Sequence, residues 1–351
     1  GFLQAPIRSG PGWYRGDLHL HTGHSDGACR SAMGRPTPCP LFRTLEAARA
    51  RGLDFVAVTD HNTASQNQDL RELAPWFDDL LLIPGREIST FRGHANVFGV
   101  TGPLEFQLGG ARLPDLGRLL DAVEAAHGLI AVNHPGLPSG EACMGCGWTA
   151  ATDWSRIPAI EAVNGGSLEW LGAEGPLSGL PTWETQLAAG RRITAIGGSD
   201  NHDASAPLER PGSVGGPTTV VHAPELSQAA ILGAIRAGHV FVDVQGSRDR
   251  LLDVRARSGA ATAEMGDALP AAAGAEVALT VTVAGVPAGS RLSPAGDAAA
   301  LLAPADLSLA AGASTVALRL GADGRPRWLR IDVRGPDGKL LLLGNPVYLR
   351  P

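Results

Sequence analysis

Through the first two-thirds of the chain, short apolar runs alternate with stretches of helical periodicity. The runs are GDLHLHT (16–22), LDFVAVTD (53–60), LLLIPGRE (80–87), LIAVNHP (129–135), AIEAVNG (159–165) and RITAIGGSD (192–200). Short continuous apolarity rich in Val, Ile and Leu marks strands buried on both faces, as in a parallel sheet. Between or after these runs, LFRTLEAARARG, LGRLLDAVEAAHG, WETQLAAG and LSQAAILGAIRAG end at Gly52, Gly128, Gly190 and Gly238. A helix commonly stops on a left-handed residue, a conformation glycine adopts without steric cost. Repeated strand–helix units predict a parallel α/β barrel or a doubly wound sheet.

Near residue 247 the pattern changes. LLDVRARS (251–258), EVALTVTVAG (276–285), STVALRLG (314–321), RWLRIDVRG (327–335) and KLLLLGN (339–345) alternate, with Gly, Pro and Asp between them. This predicts a small antiparallel β-sandwich over 247–351, following an α/β unit over 1–246. The Ala- and Pro-rich stretch 286–313 has no pattern that places strands. Trp328 and Tyr348 are expected to pack inside this accessory unit, too few to make a carbohydrate platform.

Composition narrows the function. The chain has 351 residues, 44% of them apolar, enough for a sizeable core and against disorder. Its longest apolar runs, such as LLLL at 340–343, fall far short of the ~20 residues of a membrane helix. Net charge is −6 and Lys339 is the single lysine. Without a basic block, neither nucleic acid nor an anionic membrane is an expected partner. The expected partner is a small molecule, and a homo-oligomer is compatible. The first residue is Gly1 and no hydrophobic leader is present. Cys29, Cys39, Cys143 and Cys146 form two local pairs that suit an oxidising compartment. A periplasmic or secreted location is therefore expected, with the cytoplasm as the alternative. Disulfides 29–39 and 143–146 are the first reading; cross-pairing and a zinc site of four thiolates remain open.

The polar residues at the ends of the runs carry the chemistry. In GDLHLHT, His19 and His21 stand two apart, so both side chains leave an extended segment on one side. Asp26 follows in HSDG. TDHN delivers Asp60, His61 and Asn62; GRE delivers Glu87; GHANVFG holds His94. NHP delivers Asn133 and His134, and GGSDNH delivers Asp200 and His202. These lie at the C-terminal ends of successive strands, where α/β barrels build their active sites. Burying so many imidazoles and carboxylates without a cation would cost several kcal/mol. The mixed donor set suits Zn, Mn or Fe. His24, His127, His222 and His239 are expected at the surface or at helix ends, with substrate contact as the alternative for His24. Met144 and Trp148 are expected in core packing, or else at an apolar entrance.

The ordered motifs HLHTGHSDG, TDHN, GRE, NHP and GSDNH resemble those of the PHP (polymerase and histidinol phosphatase) metallohydrolases, over about residues 13–245. GWYRGDLHLHT, LDFVAVTDHN and the run to AIRAGHVFV look closest to the carbaryl-hydrolase-like branch. The resemblance implies a distorted (β/α)7 barrel with two or three divalent metals at its C-terminal mouth. It implies a first metal on His19, His21, Glu87 and Asp200. A second would share Glu87 and add His134 with His94, and a third would take Asp26, His61 and His202. The implied reaction is phosphoester hydrolysis by a hydroxide held between metals, with Glu87 setting their spacing. Glu87, His202 and Asp60 are the catalytic candidates, Asp60 as a general acid or as a carboxylate supporting His61. Asn62, Arg86, Arg92, Asn164 and Asn201 are the substrate-binding candidates. A carbamate or carboxylic ester is the alternative substrate, and a catalytically silent scaffold the minor one. No GxSxG elbow supplies a protein nucleophile.

Overall fold

The structure is a computed structural model that describes residues 5–351. Its main element is a mixed sheet of fourteen strands. The strands that position the site are β1 (Arg8–Asp17), β2 (Phe55–Val58), β3 (Leu81–Thr90), β4 (Gly93–Phe98), β5 (Leu129–Val132), β6 (Ala159–Asn164) and β7 (Thr194–Gly198). They lie side by side in that order. β2 to β7 are almost wholly buried, and all but β4 are mainly apolar, which is why the sequence shows those five as continuous runs.

Two expectations need correction. The sheet is not uniformly parallel: β1, β2 and β3 pair in parallel, as do β5, β6 and β7, but β3, β4 and β5 are antiparallel. GHANVF, read from the sequence only as the carrier of His94, is itself a strand. Two residues separate it from β3, and a connection that short can only reverse the chain. Second, β1 lies earlier than GDLHLHT, because Gly12–Gly16 pair with Ala223–Thr219 of β8 (Thr218–Leu226). Beyond Asp17 the chain stays extended through one bridge, Leu20 to Asn201. That bridge, with His21 N–H donating to Asn201 O at 3.0 Å, brings the segment after β1 beside the segment after β7. The buried Asp17 carboxylate reinforces this meeting by accepting from Ser199 N at 3.1 Å and Gly215 N at 2.7 Å.

Helix α1 (Leu41–Arg51) is followed by α2 (Gln66–Leu73), and α5 (Leu180–Ala188) precedes α6 (Gln228–Ala237); α1 and α6 end on left-handed Gly52 and Gly238, as expected. Helix α3 (Leu116–Ala125) differs: the left-handed residue is His127, with φ 55°. Gly128 is required for space instead, since a Cβ there would sit 2.4 Å from Val100 Cγ2.

The later strands match the alternating segments. β10 (Leu251–Ser258), β12 (Glu276–Val286) and β13 (Gly312–Gly321) form an antiparallel sheet with β11 (Ala261–Glu264). β14 (Arg327–Arg334), β15 (Leu340–Gly344) and β16 (Val347–Arg350) join the large sheet, because β15 pairs with β9 (Val240–Asp243). The sheet thus runs on across residue 246. Apolar side chains from both sides of that position, Val220 and Phe241 with Val254, Leu279 and Ile331, share one core. Tyr348 is buried under the Arg192 guanidinium at 5.0 Å. Outside the metal-type clusters, His222 and His239 bind Glu264 and Asp267, fastening β8 and α6 to the later strands.

Candidate metal centre

Among the described residues, four non-glycine residues have φ in the left-handed region: Asn62, His127, His134 and Asp200. Three of them sit just past the ends of β2, β5 and β7. Such conformations cost about 1–3 kcal/mol and persist where the surroundings overdetermine them. Here the reason is visible. His134 N–H donates to the buried Glu161 Oε2 at 2.9 Å, and Asn62 exchanges hydrogen bonds with the Ser89 backbone. The backbone is bent so that strand-end side chains turn inward together.

Glu87, wholly buried on β3, is where they meet. His61 Nδ1 lies 2.9 Å from its carboxylate, His94 Nδ1 and His134 Nε2 3.2 Å, and His19 and His21 Nε2 3.4 Å. Asn133 Nδ2 donates to Oε1 at 2.9 Å. Asp200 faces the same space, 3.1 Å from His21 Nε2 and 3.2 Å from His19 Nε2. Nearer solvent, Asp26 lies 3.3 Å from His202 and 3.7 Å from both His21 and His61. All nine metal-ligand candidates therefore converge on one region.

Burial opposes charge throughout this cluster, and at Glu87, Asp200, His19 and His202, though not at His21, the opposite charges outweigh it. Burial raises the Glu87 carboxyl, but the His19 charge and the close His134, His19 and His61 rings hold it well below the carboxylate range. Asp200 is likewise held well down, against burial, by His19 and His21. His19 is desolvated, yet Asp200, Glu161 and Glu87 push it well above 6.5. His202 is pushed up to about 9, against burial, chiefly by its hydrogen bond with Asp26. His21 goes the other way, down to about 4, through burial and the nearby His202. The carboxylates of Glu87 and Asp200 are thus ready to neutralise cations.

The donors fit such cations. Buried His19 Nε2, His21 Nδ1, His134 Nδ1 and Glu87 Oε2 make no aligned hydrogen bond. Unpaired buried polar atoms are costly, so a group of four calls for a partner. Ligand atoms fall within 4.8 Å of one another in the sets His21/Asp26/His61/His202, His19/His21/Glu87, His19/His134/Asp200 and His61/Glu87/His94. Imidazole nitrogen with carboxylate oxygen suits divalent transition metals. Cys146 also lies near His94 and His134, but its sulfur is bonded to Cys143; Cys29 pairs with Cys39.

The other candidates divide. Asp60 is buried with its oxygens occupied by Thr22 N, Thr22 Oγ1 and Ser25 Oγ, at 2.8, 2.8 and 2.6 Å. It anchors the turn that carries Asp26. Asn164 Nδ2 donates to Glu161 at 3.0 Å and Asp200 at 3.3 Å, while its Oδ1 caps α4 (Gly165–Leu171). Asn201 Nδ2 donates to Asp203 O and Gly212 O. Asn62 lines the cavity over the cluster. Arg86 is turned away, donating to Gly102 O at 2.8 Å, and neither it nor the exposed Arg92 lines that cavity. His24 bridges to Ser65 and Asp69, outside it. Trp148 packs under the β3–β4 turn, where a Cβ at Gly93 would meet its ring at 2.3 Å.

Sequence reading passed over Glu161. It accepts from His19 Nδ1 at 2.8 Å, His134 N and Asn164 Nδ2, behind the candidate ligand atoms. Gly198 has no room for a side chain because a Cβ would lie 2.2 Å from Glu161 Oε1. The available signal was an acid inside an otherwise apolar buried run, AIEAVN. A carboxylate behind a ligating histidine fixes its tautomer and orientation. Glu161→Gln is expected to weaken metal affinity about 10- to 100-fold without unfolding the chain, read by competition with a chromogenic chelator.

No protein-family model matches this chain, and no curated protein matches its sequence. Among solved structures it is similar to a two-domain protein of Bacteroides vulgatus containing a predicted PHP-like metal-dependent phosphoesterase. That match has 19% identity and a TM-score of 0.52, and covers 99% of this chain and 98% of the other. A Bifidobacterium adolescentis protein assigned as a metal-dependent phosphoesterase overlaps less, at 17% identity and TM-score 0.37 over 55% of this chain and 89% of its own. The Bacteroides match bears on the fold: this chain, an α/β protein with a large mixed sheet and antiparallel later strands, shares its overall fold with a protein that contains a predicted PHP-like unit.

Proposed function

We propose that this chain is a metal-dependent hydrolase that cleaves phosphoesters, with residues 1–246 as a distorted (β/α)7 barrel of PHP type and 247–351 as an accessory β-sandwich. The observation that carries the reading is Glu87, a fully buried carboxylate with five imidazoles within 3.4 Å. His19, His21, Glu87 and Asp200, then His134 with His94, then Asp26, His61 and His202, would hold two or three Zn, Mn or Fe ions. When bound, such ions polarise a phosphoryl oxygen and acidify water, which makes the multinuclear hydrolytic mechanism part of the proposal. Glu161 and Asn133 orient the ligands. Asp60 acts as a positioning residue for the Asp26 turn, and Asn62 is the candidate on the cavity wall that can meet substrate. The two disulfides support a periplasmic or extracellular location. Among the described residues no helix is long and apolar enough to cross a membrane.

The test is turnover by metal-reconstituted protein of bis-p-nitrophenyl phosphate, p-nitrophenyl phosphate and 1-naphthyl N-methylcarbamate, with His134→Ala as blank. Phosphoester turnover that vanishes in the blank is the expected result. Turnover of the carbamate alone would replace the phosphoester reading, and activity equal in parent and blank would be contamination.

A further inference from the structure

The cavity above the cluster has a volume of about 830 Å³, of the size that encloses a small molecule. His61, His94, His134, Asp200 and His202 form its floor, while Phe91, Phe106, Leu108, Met144 and Trp170 form its wall. Among the described residues, no arginine or lysine lines it. Arg210, on the loop facing α4, is held by Glu169 at 2.6 Å. Phe91, Met144 and Trp170 are 81%, 65% and 55% exposed, so half of the six large apolar side chains left in water among the described residues stand on this one rim. The rim is built, not loose. Cys143 and Cys146 are bonded on either side of Met144, its carbonyl faces His94 Nε2 at 3.0 Å, and Gly145 N–H donates to Ser139 Oγ at 2.8 Å.

Among phosphoesters, this wall suits one kind. A phosphomonoester brings a dianion and, beyond the metals, would meet apolar side chains with no cation to pair its outer oxygens, an unfavourable desolvation. A phosphodiester brings a single negative charge and a second alcohol. If that alcohol is large and apolar, it covers the rim and removes its surface from water.

We propose that the substrate is a phosphodiester carrying one large apolar or aromatic alcohol, which lies against Phe91, Phe106, Leu108, Met144 and Trp170. The proposal rests on the phosphoesterase reading above and narrows its substrate class. In the reaction a water oxygen bonds to phosphorus and one P–O ester bond breaks. The departing oxygen leaves as alcohol with a proton from that water, and a phosphomonoester remains. No further co-reactant is consumed.

Three esters with the same leaving group test it on metal-loaded protein: 2-naphthyl 4-nitrophenyl phosphate, methyl 4-nitrophenyl phosphate and 4-nitrophenyl phosphate. The expected kcat/KM for the naphthyl diester exceeds that for the methyl diester by at least about tenfold, and that for the monoester by more. Trp170→Ala and Phe91→Ala, at exposed positions the fold tolerates, are each expected to cut the naphthyl-to-methyl ratio about fivefold or more, mainly through KM. A monoester hydrolysed better than the naphthyl diester, or a ratio unchanged in both variants, overturns the inference and leaves the phosphoesterase reading standing. No turnover of any of the three overturns both.

Discussion

Replacing Glu87 with glutamine is expected to lower phosphoester kcat/KM by on the order of 10³-fold, because metals supply several kcal/mol of transition-state stabilisation and their shared anchor is gone. The substitution keeps the shape and removes the charge. His19, His21, His61, His94 and His134 all lie within 3.4 Å of that carboxylate, so the charge removed is the one that five imidazoles share. Metal per chain, measured by elemental analysis after dialysis, should fall along with activity. Full metal content with full activity in the variant would show that Glu87 is not a ligand. Loss of activity with full metal content would move its role from binding to chemistry.

Metal uptake should release protons, and affinity should weaken steeply as pH falls. In the metal-free protein, neighbouring carboxylates keep His19 well above 6.5, raise His61 and His134, and hold His202 at about 9. Near pH 7 His19 and His202 carry protons that an incoming cation must displace, and His61 and His134 hold theirs more tightly than a free imidazole does. Each proton displaced weakens the apparent affinity about tenfold per pH unit downward. His21, held at about 4, has none to lose. The signs for stability follow. In the metal-free protein, the raised histidines contribute stability fully below their unfolded value near 6.5. That contribution fades as pH rises through the folded values, to about 9 for His202. Glu87 and Asp200, held low, contribute above the normal carboxylate range and lose that only in strong acid. Bound metal reverses the upper trend, stabilising by about 4 kcal/mol at a thousandfold excess over Kd. The gap in melting temperature between loaded and chelated protein should therefore widen from pH 6 to 8. Titration calorimetry in two buffers of different ionisation heat counts the protons, and a Kd flat across that range would refute the account.

Legibility in the sequence followed burial. β2, β5, β6 and β7 are enclosed on both faces, so their residues had to be apolar and short, and the polar break at each end marked where side chains emerge. β10, β12 and β13 showed equally well, because one wet face imposes strict alternation. β4 was missed for a local reason: GHANVF holds a Gly, a His and an Asn, and the contacts that make it a strand come from β3 and β5. His127 took the left-handed role expected of Gly128 because Val100 leaves no space for a Cβ at position 128.

The sequence by itself determined the donor chemistry and its place at strand ends. Histidines and acids that recur after apolar runs can be buried together only around cations, and that demand is written in residue type and order. Tertiary structure alone decided which way the remaining polar groups turn and what stands over the cluster. Arg86 follows Gly85 on the strand that delivers Glu87, yet alternation along that strand sends its guanidinium to Gly102, away from the cavity. Glu161 and Phe106 are far in sequence from the residues they serve. Their proximity to His19 and to the cavity is a product of sheet order and loop packing, which arise from the whole core at once and leave no local signature.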